Sequence, residues 1–253
     1  LNERPRPLEA DTPLRSEAAA LAGVVPFNKP TQPHSTVLGR HVETAPKRWS
    51  LLSAGVKRLL DVVGALVLAL VFSPLSLVII VLMSREEGPI LFRHRRIGRH
   101  GRTFECLKFR TMVPNADQVM RRLFELHPEL KAEWISNHKL RNDPRITRIG
   151  RFLRRTSLDE LPQLWNVIRG EMSLVGPRPI VREELMRYGR NSPSYLAVKP
   201  GITGLWQVTG RNDTDYRRRV AIDVYYVRKQ NLLLDLYILL KTTRVVLAGD
   251  GAY

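Results

Sequence analysis

Hydrophobic positions fall along the chain in three regimes. Residues 1–46 hold 7 of the 17 prolines and no sustained apolar period, so a disordered Pro-rich tail is expected there. Residues 59–83, "LLDVVGALVLALVFSPLSLVIIVLM", form one long apolar run. Beyond it the pattern shortens. "PILFRHRRIGRHGRTFECLKFRTM" predicts two short strands joined by the turn "GRHG". From about 115 to 140, Val119, Leu123, Phe124, Leu126, Leu130, Trp134 and Ile135 recur at helical spacing with Pro128 as an interruption. That amphipathic segment packs on the domain or lies on a bilayer surface. A helix is expected from Ser157 to Arg169, stopping at Gly170. "MSLVGPRPI" reads as a short strand ending in a stiff Pro-Arg-Pro, and "KPGITGLWQVTGR" has strand and turn character. The apolar segment "NLLLDLYILLKTTRVVLAG" reads as an interfacial or core helix rather than a span. No internal repeat is visible. The fold class expected is α+β, a small membrane-associated domain with amphipathic interfacial helices.

The long run admits two readings. As one straight helix its 25 residues would reach about 37 Å, enough for a hydrocarbon core of about 30 Å. Ser73-Pro74 argues against that, because an interior proline removes a backbone hydrogen bond and costs about 3 kcal/mol unless a kink is wanted. Split there, the arms reach roughly 21 and 14 Å, and neither spans. Both flanks are also basic, with Lys57 and Arg58 before and Arg85, Arg93, Arg95, Arg96 and Arg99 after. Positive charge belongs on the cytoplasmic side, which a hairpin dipping in and out satisfies and a span does not. Residues 47–84 are therefore expected to be a re-entrant membrane helix, with 85–253 as a following domain on the side of its basic flanks. Asp61 lies where it can pair with Lys57 or Arg58, cheaper than a charge at mid-membrane.

Charge narrows the partners. Lys and Arg number 41 against 24 Asp and Glu, a formal charge of +17, which implies nucleic acid, an anionic membrane surface or phosphorylated substrates. One cysteine, Cys106, excludes an intrachain disulfide and a cysteine zinc site. The six histidines show no HExxH spacing, and no P-loop, Rossmann fingerprint or G-x-S-x-G is present. The N-terminus is Pro-rich and polar, unlike a secretory signal.

What remains is "DPRITRIGRFLRRTSLDELPQLWN". Arg145, Arg148, Arg151, Arg154 and Arg155 lie within eleven residues with no acid between them, and helical spacing puts most on one side. They form a solvated or lipid-facing basic face, or they grip phosphate oxygens through the planar guanidinium fork. Asp159 and Glu160 follow. Ser157 and Glu160 have the spacing of a capping box, with Asp159 in the first turn where the helix dipole favours an acid. A helix N-terminus with arginines and carboxylates also suits a metal-bound diphosphate. Adjacent helix residues point about 100° apart, so one acid as nucleophile and the other as metal ligand or base is the more natural division.

The ordered set "KRLLD", Ser73-Pro74, "GPILFRHRRIG", "KFRTM", "NDPRITRIGRFLRRTSLDELPQLWNVIRGEMSLVGPRP" and "KPGITGLWQVTGR" resembles the bacterial sugar transferases that act on polyprenyl phosphate, the monotopic phosphoglycosyl transferases. The resemblance runs from about residue 55 to the end. "HPELKAEWISNHKLRNDPR" and the terminal "GDGAY" resemble the rhizobial-type, exopolysaccharide-initiating galactose-1-phosphate transferases. It implies a re-entrant helix broken at Ser73-Pro74, Mg²⁺, and a location at the bacterial inner membrane with the catalytic domain on the cytoplasmic face. It also implies a ping-pong reaction. Asp159 attacks the sugar-bearing phosphate of a UDP-sugar, such as UDP-galactose, and expels UMP; undecaprenyl phosphate then takes the phosphosugar. Glu160 binds the metal with Asp159 or manages protons. Lys108 and Arg110 of "KFRT", Arg154, and Arg178 held between Pro177 and Pro179 match phosphate- or nucleotide-binding positions, with Arg211 of "TGR" a further member. With only its tail ahead of the membrane segment, the chain is expected to be the minimal catalytic form.

Two other classes compete. A nucleic-acid binder would use the basic hairpin and arginine helix, but residues 59–83 would have no job in it, and no nucleic acid partner is expected. A membrane-anchored scaffold would keep the two acids only as a helix cap. UDP-glucose or another UDP-hexose is the alternative donor, since no residue reads the one hydroxyl or substituent that separates these sugars. Nor does any feature report oligomeric state.

Overall fold

A computed structural model describes residues 51–137, 140, 143–209 and 215–248; the tail 1–46, Arg211 and "GDGAY" lie outside them. The long apolar run forms two helices, α1 (Leu51–Val71) and α2 (Ser73–Met83), bent by 59°. The bend follows from the local chemistry. Pro74 has no N–H for the Leu70 carbonyl four residues back, and the Ser73 hydroxyl donates to that carbonyl instead at 2.7 Å. No single described helix is long and apolar enough to cross a membrane, although the bent pair passes that test together.

α1 has two unlike sides. Leu59, Leu60, Val63, Leu66, Val67, Leu70 and Val71 are exposed, while Asp61 and Ala65, one turn apart, are buried. The buried side is fastened by polar groups. Lys57 donates to Asp235 at 2.7 Å and lies 3.7 Å from Asp61, the pairing its spacing predicts. Asp61 in turn accepts from the Ser173 hydroxyl and the Leu174 N–H, each at 3.0 Å.

After α2 come the expected hairpin strands, β1 (Leu91–Ile97) and β2 (Thr103–Phe109), antiparallel with Leu91 opposite Phe109 and Ile97 opposite Thr103. The amphipathic segment is two helices, α3 (Ala116–Leu126) and α4 (Pro128–Asn137), with Pro128 opening the second, where its missing N–H costs nothing. α5 (Arg148–Thr156) carries Arg148, Arg151, Arg154 and Arg155, whereas Arg145 precedes it and is buried in a fork on Asp143 at 2.6–3.1 Å. Then follow α6 (Gln163–Arg169), β3 (Ser173–Val175), α7 (Arg182–Tyr188), α8 (Ser192–Leu196), β4 (Gly201–Thr203), α9 (Leu205–Thr209), α10 (Tyr216–Lys229) and α11 (Leu232–Ala248). β3 and β4 pair in parallel across a crossover that carries α7 and α8. Among the described residues the architecture is mixed and mostly helical, with two separate two-stranded sheets.

One expectation is overturned here. No continuous helix runs from Ser157 to Arg169, and Ser157 caps no N-terminus. Ser157 is the left-handed C-cap of α5 (φ 58°), its hydroxyl makes no capping bond, and Leu158–Glu160 form a single 3₁₀ turn before α6 starts at Gln163. Pro162, just ahead of α6, cannot continue an N–H ladder from α5, so the chain breaks between two helices instead of starting one. The stop at Gly170 is as expected, with φ 84°.

The main core joins α1, β2, α6, β3 and the C-terminal helices through Ala65, Phe104, Cys106, Val167, Val175, Tyr226 and Ile238. α5 closes against the strand exit at Gly150, where an added Cβ would meet the Thr111 carbonyl oxygen at 2.1 Å. Only glycine permits that approach.

Candidate active site

The turn Leu158–Glu160 is held from both sides. α5 delivers it through the left-handed Ser157, and α6 leads away under Leu164 and Val167, both buried in the core. Behind it stands β2, bonded to α6 through Asn166: the Leu107 N–H donates to its Oδ1 at 3.0 Å and its amide donates to the Glu105 carbonyl at 2.7 Å. Arg58 of α1 donates to the Val167 and Ile168 carbonyls at 2.7 and 2.9 Å, capping the end of α6 and linking the apolar helix pair to the helix that follows the turn.

Asp159 is buried and Glu160 half-buried. The Lys108 ammonium meets both, at 2.6 Å from Glu160 and 3.6 Å from Asp159. Burial raises the Asp159 pKa above the ordinary aspartate value; Lys108 opposes this, Glu160 reinforces it and Arg154 opposes it. Burial alone would lower Lys108, but Glu160 and Asp159 outweigh it and hold the ammonium charged. Arg154 is fixed by its Nε, which donates to the Thr111 hydroxyl at 2.8 Å. A buried carboxylate with two cations within electrostatic reach is equipped to meet a phosphoryl group.

The other predicted site residues divide. Arg178 is exposed between the buried Pro177 and Pro179, and the Pro177 carbonyl accepts from the Gly201 N–H at 2.8 Å. Arg110 departs from the expected grouping: it is buried beside Glu86 at 3.7 Å, with Nε and Nη1 lacking a partner among the described residues. Thr111 and Asn166 were not singled out from the sequence. Thr111 sat inside "KFRTM" as a plain polar residue, and Asn166 is a polar position among the apolar ones of α6, which was the available signal. Among the described residues no group of three or more His, Cys, Asp or Glu side chains could hold a metal ion.

Beside the turn lies a groove of about 770 Å³ that reaches the helix break, lined among others by Phe72, Ser73, Pro74, Leu161, Pro162 and Trp165. It is almost wholly apolar.

The profile of the family described as "Bacterial sugar transferase" matches residues 52–249. The chain belongs to the bacterial sugar transferase family. The chain is 53% identical over 198 residues to the UDP-galactose-lipid carrier transferase of Erwinia amylovora, covering 78% of the chain and 42% of that relative. It is 50% identical over 220 residues to the undecaprenyl-phosphate galactose phosphotransferase of Salmonella typhimurium, covering 87% of the chain and 46% of the relative. The exopolysaccharide production protein ExoY of Rhizobium meliloti is 50% identical over 198 residues, with 78% of the chain and 88% of the relative covered. The chain thus spans less than half the length of the first two relatives and most of the third.

Proposed function

We propose that the protein transfers galactose-1-phosphate from UDP-galactose to undecaprenyl phosphate, releasing UMP, as the first membrane step of exopolysaccharide synthesis. The observation that carries this is the Asp159–Glu160 turn with the Lys108 ammonium bonded to Glu160 and ion-paired with Asp159. The names of the relatives supply the substrates. An Asp159 carboxylate oxygen attacks the sugar-bearing phosphorus, and the bond to the bridging oxygen breaks with its electron pair leaving on UMP. A phosphate oxygen of undecaprenyl phosphate then attacks the same phosphorus, and the Asp159 carboxylate is regenerated. Arg154 and Lys108 offset charge on the phosphoryl oxygens.

Two adjacent carboxylates fit Mg²⁺, which takes one or two protein carboxylates and completes its shell with water and substrate phosphate oxygens. Asp159 and Glu160 would hold it, and when bound it would withdraw charge from the diphosphate. The bent α1–α2 pair and its exposed apolar side support re-entrant insertion, with the catalytic turn at the cytoplasmic face of the inner membrane. The apolar groove would then receive the lipid chain of the acceptor next to the nucleophile.

The test is UMP release by purified protein given Mg²⁺, undecaprenyl phosphate and each of a panel of UDP-hexoses. UDP-galactose is expected to be turned over fastest, and Asp159→Asn to lower release by at least about 10³-fold. Wild-type turnover by the variant would remove Asp159 as nucleophile, and faster release from another UDP-hexose would replace galactose.

A further inference from the structure

One face of the β1–β2 hairpin continues the cationic lining beyond the catalytic turn. The register sets Phe92 opposite Lys108, His94 opposite Cys106 and Arg96 opposite Phe104, so these side chains share a face. Lys108 ends the row at Glu160, 2.6 Å away, and Arg96 ends it at Glu184, 3.4 Å away. His94 lies between them, half-buried, as the diagonal neighbour of Lys108.

The protonation of His94 can be read from its partner. Arg96 Nη2 is 3.2 Å from His94 Nδ1, and a guanidinium can only donate. Nδ1 therefore accepts, and the ring proton sits on Nε2, which has no partner among the described residues. Burial, then Arg96, then Lys108 disfavour the imidazolium, Arg178 adds to them, and Glu184 alone opposes. The ring is thus a neutral donor at pH 7, bonded to Arg96 on one edge and packed against the Phe92 ring at 5.7 Å between centroids, with its N–H left without a partner among the described residues. Arg178, exposed between two buried prolines, also bears electrostatically on Arg96. Three fixed cations surround this donor, and the single acid that bears on it is already engaged by Arg96. Such a place suits an anion.

We propose that His94 is a nucleotide-binding residue of the donor site: its Nε2–H donates to a phosphate oxygen of the nucleoside diphosphate, between Lys108 and Arg178. This rests on the donor reading above. A neutral N–H orients the diphosphate without adding a fourth fixed charge that would retain UMP after the bond breaks.

Two substitutions separate binding from mere support of Arg96. His94→Asn keeps an oxygen placed to accept from Arg96, where Nδ1 was, and loses the outward donor. His94→Gln places an amide N–H near the Nε2 position and gives up the acceptor. With purified full-length protein in detergent and UDP as the calorimetric probe, His94→Asn is expected to raise the UDP Kd and the UDP-hexose KM about tenfold, the loss of one hydrogen bond to a charged acceptor. The KM for undecaprenyl phosphate and the Tm should not move. His94→Gln is expected to stay within about threefold of wild type. Wild-type affinity in His94→Asn, or an equal loss in His94→Gln, overturns the proposal and leaves His94 as a support for Arg96. If wild type neither binds UDP nor releases UMP from any UDP-hexose, the donor reading itself has failed, which these variants cannot mimic.

Discussion

Lys108 sits between two carboxylates that repel each other, and its contacts at 2.6 and 3.6 Å make their coexistence tolerable. Lys108→Met removes that charge while keeping the length of the side chain. UMP release is expected to fall about 10²-fold or more, the scale of losing one fixed electrostatic group at a reacting phosphoryl centre; a stopped assay of UMP from UDP-galactose reads it. A second buried acid serves stability. Burial pushes the Asp223 carboxyl up to about 7, although the Tyr188 hydroxyl donates to it at 2.8 Å and the Arg178 charge opposes the shift. Because this folded pKa lies above the unfolded value of 3.8, the native state binds the proton more tightly. The contribution is full below pH of about 4, declines as pH rises, and is gone above about 7. Asp223→Asn is neutral at every pH. Its Tm should exceed wild type by at least about 3 °C at pH 8, and the difference should shrink steadily as pH falls towards about 4, as scanning calorimetry across that range will show.

The element that matters most is a single turn of three residues, the 3₁₀ turn Leu158–Glu160. Its geometry depends on Ser157 at φ 58°, a conformation that costs a non-glycine residue about 1–2 kcal/mol. Ser157→Gly should therefore stabilise the protein by about 0.5–1 kcal/mol in urea unfolding. Were Ser157 an N-cap, its hydroxyl would bond a backbone N–H, and losing that bond would destabilise instead. This also marks where the sequence was legible. The strands at Leu91–Ile97 and Thr103–Phe109, the break at Ser73-Pro74, the restart at Pro128 and the stop at Gly170 were readable because each is written in local alternation or in a Pro or Gly. "TSLDE" was not, because a capping box and a left-handed C-cap followed by a turn share the same residues. Pro162 was the discriminating signal. The acids, Lys108 and Arg154 were picked out through motif order, and tertiary contacts bring Lys108 and Asp159 together from 51 positions apart. Arg110 resembled Lys108 in sequence, yet two positions past Lys108, just after β2 ends, it lies beside Glu86 instead. Asn166 was hidden because a buried polar hub looks like any helix polar position until its partners are known.

At the scale of the whole molecule, the Leu158–Glu160 turn and the apolar hairpin are one mechanical unit. Arg58 on the end of α6, and Lys57 with Asp61 and Asp235, fix α1 at an angle set by buried polar bonds. The exposed leucines and valines of α1 and α2 have to leave water, and the 59° bend decides how. With the bend, α1 and α2 can dip into one leaflet and return, keeping basic residues at both flanks on one side. Without it, the 33 positions from Leu51 to Met83 would make a helix of about 50 Å, ample to span. Two features hold the bend: the missing N–H of Pro74 and the Ser73 hydroxyl on the Leu70 carbonyl. Replacing both, Ser73→Ala with Pro74→Ala, restores an unbroken ladder and removes the competing donor. Cysteines introduced at Ser53 and Glu87, in a Cys106→Ser background, report the outcome through a membrane-impermeant thiol reagent on inverted vesicles. In the otherwise native sequence both sites should label from the cytoplasmic side. In the doubly substituted protein the Ser53 site should become protected in a substantial fraction of molecules, since about 3 kcal/mol of proline penalty against the straight helix has gone. Such molecules would also lose the Arg58 bonds to the end of α6 and the Lys57 bond to Asp235, so UMP release should fall in proportion to the protected fraction. Unchanged labelling at both sites would mean that the bend is imposed by packing and not by Ser73-Pro74.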